Sequence, residues 1–248
     1  ERASGRRTHL DRYAGASSPA QPSRQPLFGL KGRCDHPAMD RDDSVLPPQA
    51  EISSLFAVPI AQAQHPDHEA LNAELKSLLL EREADPRYAN PHPSLQQQPG
   101  VFESDFNLFA WPEPCIQRLR QFCWTELGRT IQTLNGYSGE EMRRIQIFSH
   151  TWFHVTRRGG FVIAHTHPMA SWSGVYCVAP GQQPADRPDS GVLRFHNPHY
   201  YSNMFLDPGN LRLAPPFHHG TWNVRLRPGQ LVLFPSWVSH DVLPFHGD

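Results

Sequence analysis

The sequence predicts a mainly β fold, a sandwich or jelly roll with two N-terminal helices packed on its outer face. Short apolar runs follow one another from Arg143 onward, separated by clusters of Gly, Pro, Asn and Asp. Two segments with apolar residues at helical spacing precede them, and none interrupts them. At 248 residues the chain is long enough for one medium domain with a proper core, and single all-β domains often reach this size.

Residues 1–50 are rich in Arg, Ser, Pro, Gly and Asp without apolar periodicity, and Met39 is the first methionine. Such a segment buries too little apolar surface to offset its ordering entropy, so it is expected to be disordered or non-native. Order is expected from residue 51, with "ISSLFAVPIAQAQ" (Ile52 to Gln64) as a short strand. In "PDHEALNAELKSLLLEREAD", Leu71, Leu75, Leu78 and Leu79 predict a helix, with Asp67 at its N-cap. A Pro/Gln/Ser loop, Asp85 to Gly100, separates it from a second helix. There Ile116, Leu119, Phe122, Leu127, Ile131 and Leu134 form a packing stripe, and Asn135-Gly136 supplies the stop.

The strands then read "RRIQIFSHTWFHVT", "GGFVIAH", "WSGVYCVA", "GVLRFHN", "TWNVRLR" and "QLVLFPSW". In "RPGQ", Pro and Gly occupy the two central positions of a type II turn, predicting an antiparallel pair on either side.

A formal net charge of −1 gives no electrostatic argument for nucleic acid or an anionic membrane. No apolar run is long enough to cross a bilayer, and "ERASGRRTHLDRYAG" lacks the apolar core of a secretory signal. Cys34, Cys115, Cys123 and Cys177 form no C-x-x-C pair. They read as buried small hydrophobes in a reducing cytoplasm.

Histidine is the outlier, with 15 residues. His36, His65, His92 and His167 neighbour proline, so abundance alone says little and spacing must carry the argument. His165 and His167 are two apart, and a strand has period two, so both project from one face. His240 follows the last apolar run, 73 residues on (240 − 167), which leaves room for the strands between. Three neutral imidazoles from two strands suit a divalent Fe, Co, Ni, Cu or Zn ion. Two histidines facing a polar pocket and a third hydrogen-bonded elsewhere account for H-x-H alone equally well.

Over residues 52 to 248 the chain resembles a largely bacterial family of 2-oxoglutarate- and Fe(II)-dependent oxygenases. The resemblance rests on His165-Thr166-His167-Pro168, on Ser173 to Tyr176, and on Gly191, Leu193, Phe195 and Pro198. It continues through Phe234 to Trp237, His240, Val242 and Pro244, and "LFAVPIAQ" resembles the family's opening strand. It implies a double-stranded β-helix over residues 51–248, Fe(II) held by His165, His167 and His240, and 2-oxoglutarate as cosubstrate. Oxidative decarboxylation to succinate and CO2 would drive hydroxylation of a small-molecule or peptide substrate, with no nucleic acid or membrane involved.

Most of the wider superfamily carries Asp or Glu where His167 stands, so a third imidazole leaves the ligand set one negative charge short. Asp241 would point to the opposite strand face from His240. The family's Arg that pairs with the distal carboxylate of 2-oxoglutarate is expected beyond Asp248, so the domain reads as truncated at its C-terminus. Arg194 and Arg225 read as surface residues rather than substitutes.

The resemblance also implies His154 and Ser173 as cosubstrate contacts, His154 donating where relatives carry Asn. A half-buried structural histidine accounts for His154 as well. Trp152, Trp172 and Trp237 read as core or pocket wall, and His218 and His219 as exposed. A cupin-like three-histidine dioxygenase that does without 2-oxoglutarate, and a non-catalytic jelly-roll binding module, are the alternatives.

Overall fold

The structure, a computed structural model, describes residues 51–92, 99–182 and 184–247. The segment expected to be disordered or non-native, 1–50, and Cys34 within it lie outside the described residues. Among the described residues are three antiparallel sheets and two long helices. The chain runs through β1 (Ala61–Gln64), α1 (His68–Glu83), β2 (Val101–Glu103), α2 (Pro114–Asn135) and α3 (Gly139–Met142). It continues through β3 (His154–Thr156), β4 (Val162–His165), β5 (Trp172–Tyr176) and β6 (Leu193–His196), then β7 (Thr221–Val224), β8 (Gln230–Pro235) and β9 (His240–Val242). No helix among the described residues is long and apolar enough to cross a membrane.

One sheet has the order β1-β8-β5 and another β4-β9-β6-β7, while β2 and β3 pair by themselves. The first two sheets pack face to face. Val232 and Phe234 from β8 meet Leu193, Phe195 and Val224 from β6 and β7, and the Phe195 and Phe234 rings meet edge-on at 4.9 Å. Flanked by partners on both sides, β8 is buried along its whole length, which is why "QLVLFP" reads as an apolar run rather than an alternation.

A second core lies under the helices. Leu71, Leu75 and Leu79 of α1 and Cys115, Ile116 and Leu119 of α2 pack with Leu108, Trp111 and Phe153, and Tyr176 of β5 closes against them. Asn72 fastens α1 to the end of β5, donating from Nδ2 to the Val178 carbonyl at 2.8 Å and accepting from the Tyr176 hydroxyl at 2.8 Å. Buried polar groups are tolerated when paired in this way.

The helices match the apolar spacing. Asp67 is the N-cap residue of α1, although its side chain makes no cap hydrogen bond. Gly136 ends α2 in the left-handed region at φ 68°. Of the stripe on α2, Ile116 and Leu119 are buried while Leu134 is half exposed.

Three expectations need correction. Ile52, Leu55 and Phe56 are exposed, and the first strand begins only at Ala61, where pairing with β8 becomes possible. Most of the strand expected from Arg143 is irregular, with Phe148 87% exposed; His154–Thr156 pairs as a strand, and Thr151 makes an isolated bridge to Asn107. Its alternation has no neighbouring strand to pair with before that point. The "RPGQ" turn forms, with Gly229 at φ 77° and the Gln230 N–H donating to the Arg227 carbonyl. It carries the chain from one sheet to another, however, because β7 pairs with β6 and β8 with β1 and β5. The short helix α3, closed by a Ser138–Glu141 capping box, was not anticipated.

Candidate metal centre

His165 ends β4 and His240 begins β9, and the two stand directly opposite each other in the β4–β9 ladder. His167 follows β4, its backbone N–H donating to the Ser236 carbonyl at 3.0 Å, which ties this turn to the segment leading into His240. The three rings converge. Their centroids are 4.3 Å apart for His165 and His240, 4.9 Å for His165 and His167, and 5.1 Å for His167 and His240. One nitrogen from each lies within 4.8 Å of the others, and among the described residues this is the one such cluster.

Two of the rings are held in a defined tautomer. His165 Nδ1 lies 2.8 Å from the Ile163 carbonyl and His240 Nδ1 lies 3.0 Å from the Val238 carbonyl. A carbonyl only accepts, so each Nδ1 carries the proton and each Nε2 keeps a lone pair, the arrangement that metal-ligating histidines adopt. Burial is the main cause that lowers His240 to about 4, with His165 and His167 nearby adding to it. The Phe195 and Phe234 rings wall it in at 6.0 and 4.7 Å. Burial also lowers His167, again helped by its histidine neighbours. Unprotonated imidazoles are what a divalent cation requires. Two metal–nitrogen bonds of about 2.1 Å span roughly 4.2 Å at most, so a slight inward turn of the rings fits them to one ion.

Asp241 faces away from this cluster. Opposite Arg194 in the β6–β9 ladder, it takes a two-pronged contact from the guanidinium, Nε–Oδ1 at 2.9 Å and Nη2–Oδ2 at 2.6 Å. His196 Nε2 is 2.9 Å from the same Oδ2. Burial would raise the Asp241 carboxyl, but the Arg194 and His196 hydrogen bonds outweigh it and hold it below the usual value. Arg194 is therefore a half-buried ion-pair partner rather than a surface residue. Arg225 donates to the Pro188 carbonyl.

Of the two expected cosubstrate contacts, Ser173 shares a 2.7 Å hydrogen bond with Ser236. His154 sits in a second cluster beside the first. Its Nε2 is 3.0 Å from Glu103 Oε2 and 3.2 Å from Trp152 Nε1, and the Trp152 ring lies 5.6 Å from that of His167. Glu103, only 8% exposed, escaped the sequence reading. Its strand is three residues long and carries no pattern of its own. His218 and His219, expected to be exposed, are half-buried, and Ser202 Oγ lies 3.0 Å from His219 Nδ1.

Residues 150–248 match a family model described as "Putative 2OG-Fe(II) oxygenase". Among solved structures, the crystal structure of a Pseudomonas putida prolyl-4-hydroxylase is similar with a TM-score of 0.49 at 22% identity, covering 75% of this chain and 86% of that one. No curated protein matches. The matched segment holds all three converging histidines, and over residues 150–248 the chain is similar to the 2OG-Fe(II) oxygenase family, a class of enzymes.

Proposed function

We propose that the chain is an Fe(II)- and 2-oxoglutarate-dependent dioxygenase, built on a double-stranded β-helix, that hydroxylates a small-molecule or peptide substrate. The observation that carries this reading is the convergence of His165, His167 and His240, with the Nδ1 atoms of His165 and His240 anchored to backbone carbonyls. These three would hold the iron. When bound, iron with 2-oxoglutarate and O2 supplies oxidative decarboxylation to succinate and CO2, coupled to hydroxylation of a C–H bond. The chain's own residues orient and shield. The Ile163 and Val238 carbonyls fix the imidazole tautomers, Phe195 and Phe234 exclude water behind His240, and Trp152 and Phe106 wall the side next to His167. Buried thiols agree with a reducing compartment such as the cytoplasm. Burial pushes Cys177 up to about 11 and Cys123 up to about 12.

A three-histidine dioxygenase that binds its substrate directly to the metal is the second reading. The observation favouring it is the commitment of Arg194 to Asp241, on the sheet face opposite the histidines, which removes that guanidinium as a partner for 2-oxoglutarate.

Anaerobic addition of Fe(II) and then 2-oxoglutarate separates the two. A visible iron-to-2-oxo-acid charge-transfer band in the native chain, absent from His240→Ala, supports the first reading. Iron binding without the band supports the second, and no iron binding sinks both.

A further inference from the structure

The sheet β4-β9-β6-β7 has a second face, turned away from the three histidines. Arg194 and His196 of β6 stand on it beside Asp241 of β9, while Phe195 between them points inward to His240 and Phe234. At one end of this outer face lies a cavity of about 380 Å³, lined by His196, Asn197, Asn203, Gly220, Thr221 and Ser239. Small-molecule sites occupy roughly 300–1,000 Å³, so the volume suits a small ligand. Thr221 is the ladder partner of His196, which puts both side chains on the same face.

The wall is held from behind. Asp241 is 6% exposed, and its carboxylate is gripped by the Arg194 guanidinium, so it is ionised and only accepts. His196 Nε2, 2.9 Å from Asp241 Oδ2, therefore donates. In the neutral ring this leaves a lone pair on Nδ1. That nitrogen has no hydrogen-bond partner among the described residues, yet it is not sealed off from solvent. The His196 backbone N–H donates to the Ser239 carbonyl at 2.9 Å, which fixes Ser239 beside it. Asn197 is fully engaged, donating to the His218 carbonyl and accepting from the His199 N–H. Among the described residues the Thr221 and Ser239 hydroxyls and the Asn203 amide make no side-chain hydrogen bond.

The cavity thus offers one oriented acceptor, two hydroxyls and one carboxamide, and its nearest carboxylate is already neutralised by Arg194. A carboxylate or phosphate only accepts, and would set its charge against the Nδ1 lone pair. An ammonium only donates, and finds no free anion here. A hydroxyl both donates and accepts, and a molecule carrying several matches the whole set.

We propose that this cavity binds a small neutral polyhydroxylated compound, of the sugar or polyol class, with His196 Nδ1 accepting from one hydroxyl and Thr221, Ser239 and Asn203 engaging others. Asp241 and Arg194 hold His196 in the accepting tautomer. The site lies across the sheet from the metal centre and does not depend on the functional reading above.

The test is titration of the full chain, metal-free and again with Zn(II) bound, with glycerol, D-glucose and myo-inositol, followed by proton–nitrogen correlation NMR. Sodium acetate and methylammonium chloride are the charged comparisons. At least one neutral probe should shift the Asn203, Gly220, Thr221 and Ser239 amides saturably, equally with and without Zn(II). The unprotonated His196 Nδ1 resonance should move with them as it gains a hydrogen bond. Thr221→Val keeps the branched shape and loses only the hydroxyl. It should weaken that binding roughly two- to ten-fold with Tm unchanged, the worth of one neutral hydrogen bond.

No saturable shift with any neutral probe, or saturable binding of the charged probes alone, overturns the inference. So does an affinity unchanged in both Thr221→Val and Ser239→Ala. Shifts that require Zn(II) would place the probe at the metal centre and overturn it as well. None of these outcomes touches the charge-transfer band, so the functional reading stands or falls separately.

Discussion

His165 lies directly opposite His240 across the β4–β9 ladder, their ring centroids 4.3 Å apart. The backbone register of two strands distant in the chain thus places the imidazoles, with no reliance on a flexible loop. His167 joins them through a turn tied to Ser236.

Removing His240 should therefore cost metal more than fold. His240→Ala should weaken Fe(II) binding by on the order of 100-fold or more, since even outer partners of metal ligands are commonly worth 10–100-fold. Anaerobic isothermal titration measures the loss. A variant with native iron affinity would remove His240 from the ligand set.

Protons should unsettle the metal-free protein in a defined window. His240 is lowered to about 4 in the fold, against about 6.5 for a free histidine. Between those values the unfolded chain binds the extra proton and the folded chain does not, so stability drops as pH falls from 6.5 towards 4 and levels off below. The loss is on the order of 3 kcal/mol, an upper value for a group only 3% exposed. Urea unfolding in the presence of a chelator should show this slope, and His240→Gln should flatten it. An equal slope in the variant would contradict the assignment.

Asp241 and His240 are adjacent in sequence but face opposite ways, so their variants should separate. Asp241→Asn weakens the Arg194 and His196 contacts and should cost about 1–3 kcal/mol by denaturant unfolding. Its Fe(II) affinity should stay within a few-fold of native. Loss of iron comparable to that of His240→Ala would make Asp241 a ligand.

Gly229→Ala probes the turn that carries the chain between sheets. The backbone sits at φ 77°, and a Cβ there would meet His68 Cγ at 2.5 Å and Gln64 Nε2 at 2.6 Å. Left-handed strain alone costs roughly 1 kcal/mol, and the clash with the start of α1 adds to it. A thermal melt should show a Tm several degrees lower, whereas an unchanged Tm would mean that α1 yields freely.

The sequence made visible whatever is written in local period. The runs that became β4 to β8 are alternating or continuously apolar, and the α1 and α2 faces repeat at helical spacing. His165 and His167 share a strand face for the same reason. Partnership between distant segments was not visible. The turn at Pro228-Gly229 was readable, but whether its flanking strands pair depends on the competing claims of β1, β5 and β6. Glu103 was hidden for a related reason: its significance lies in Asn90 and His154, one on a loop and the other on a paired strand. The pairing of Arg194 with Asp241 became apparent only once β6 and β9 were side by side.

The position of β4 has one more consequence. With the order β4-β9-β6-β7, β4 is an edge strand of four residues, and its pairing with β9 shifts register between Val162 and His165. Such an edge is the place where a sheet frays first. An ion shared by His165 and His240 would close a loop of 75 residues (240 − 165) and clip that edge to its neighbour. Metal occupancy and the integrity of the sheet would then report on each other. Protection of the β4 amides from hydrogen exchange would rise with bound metal, and chelation would loosen this strand before the rest of the fold.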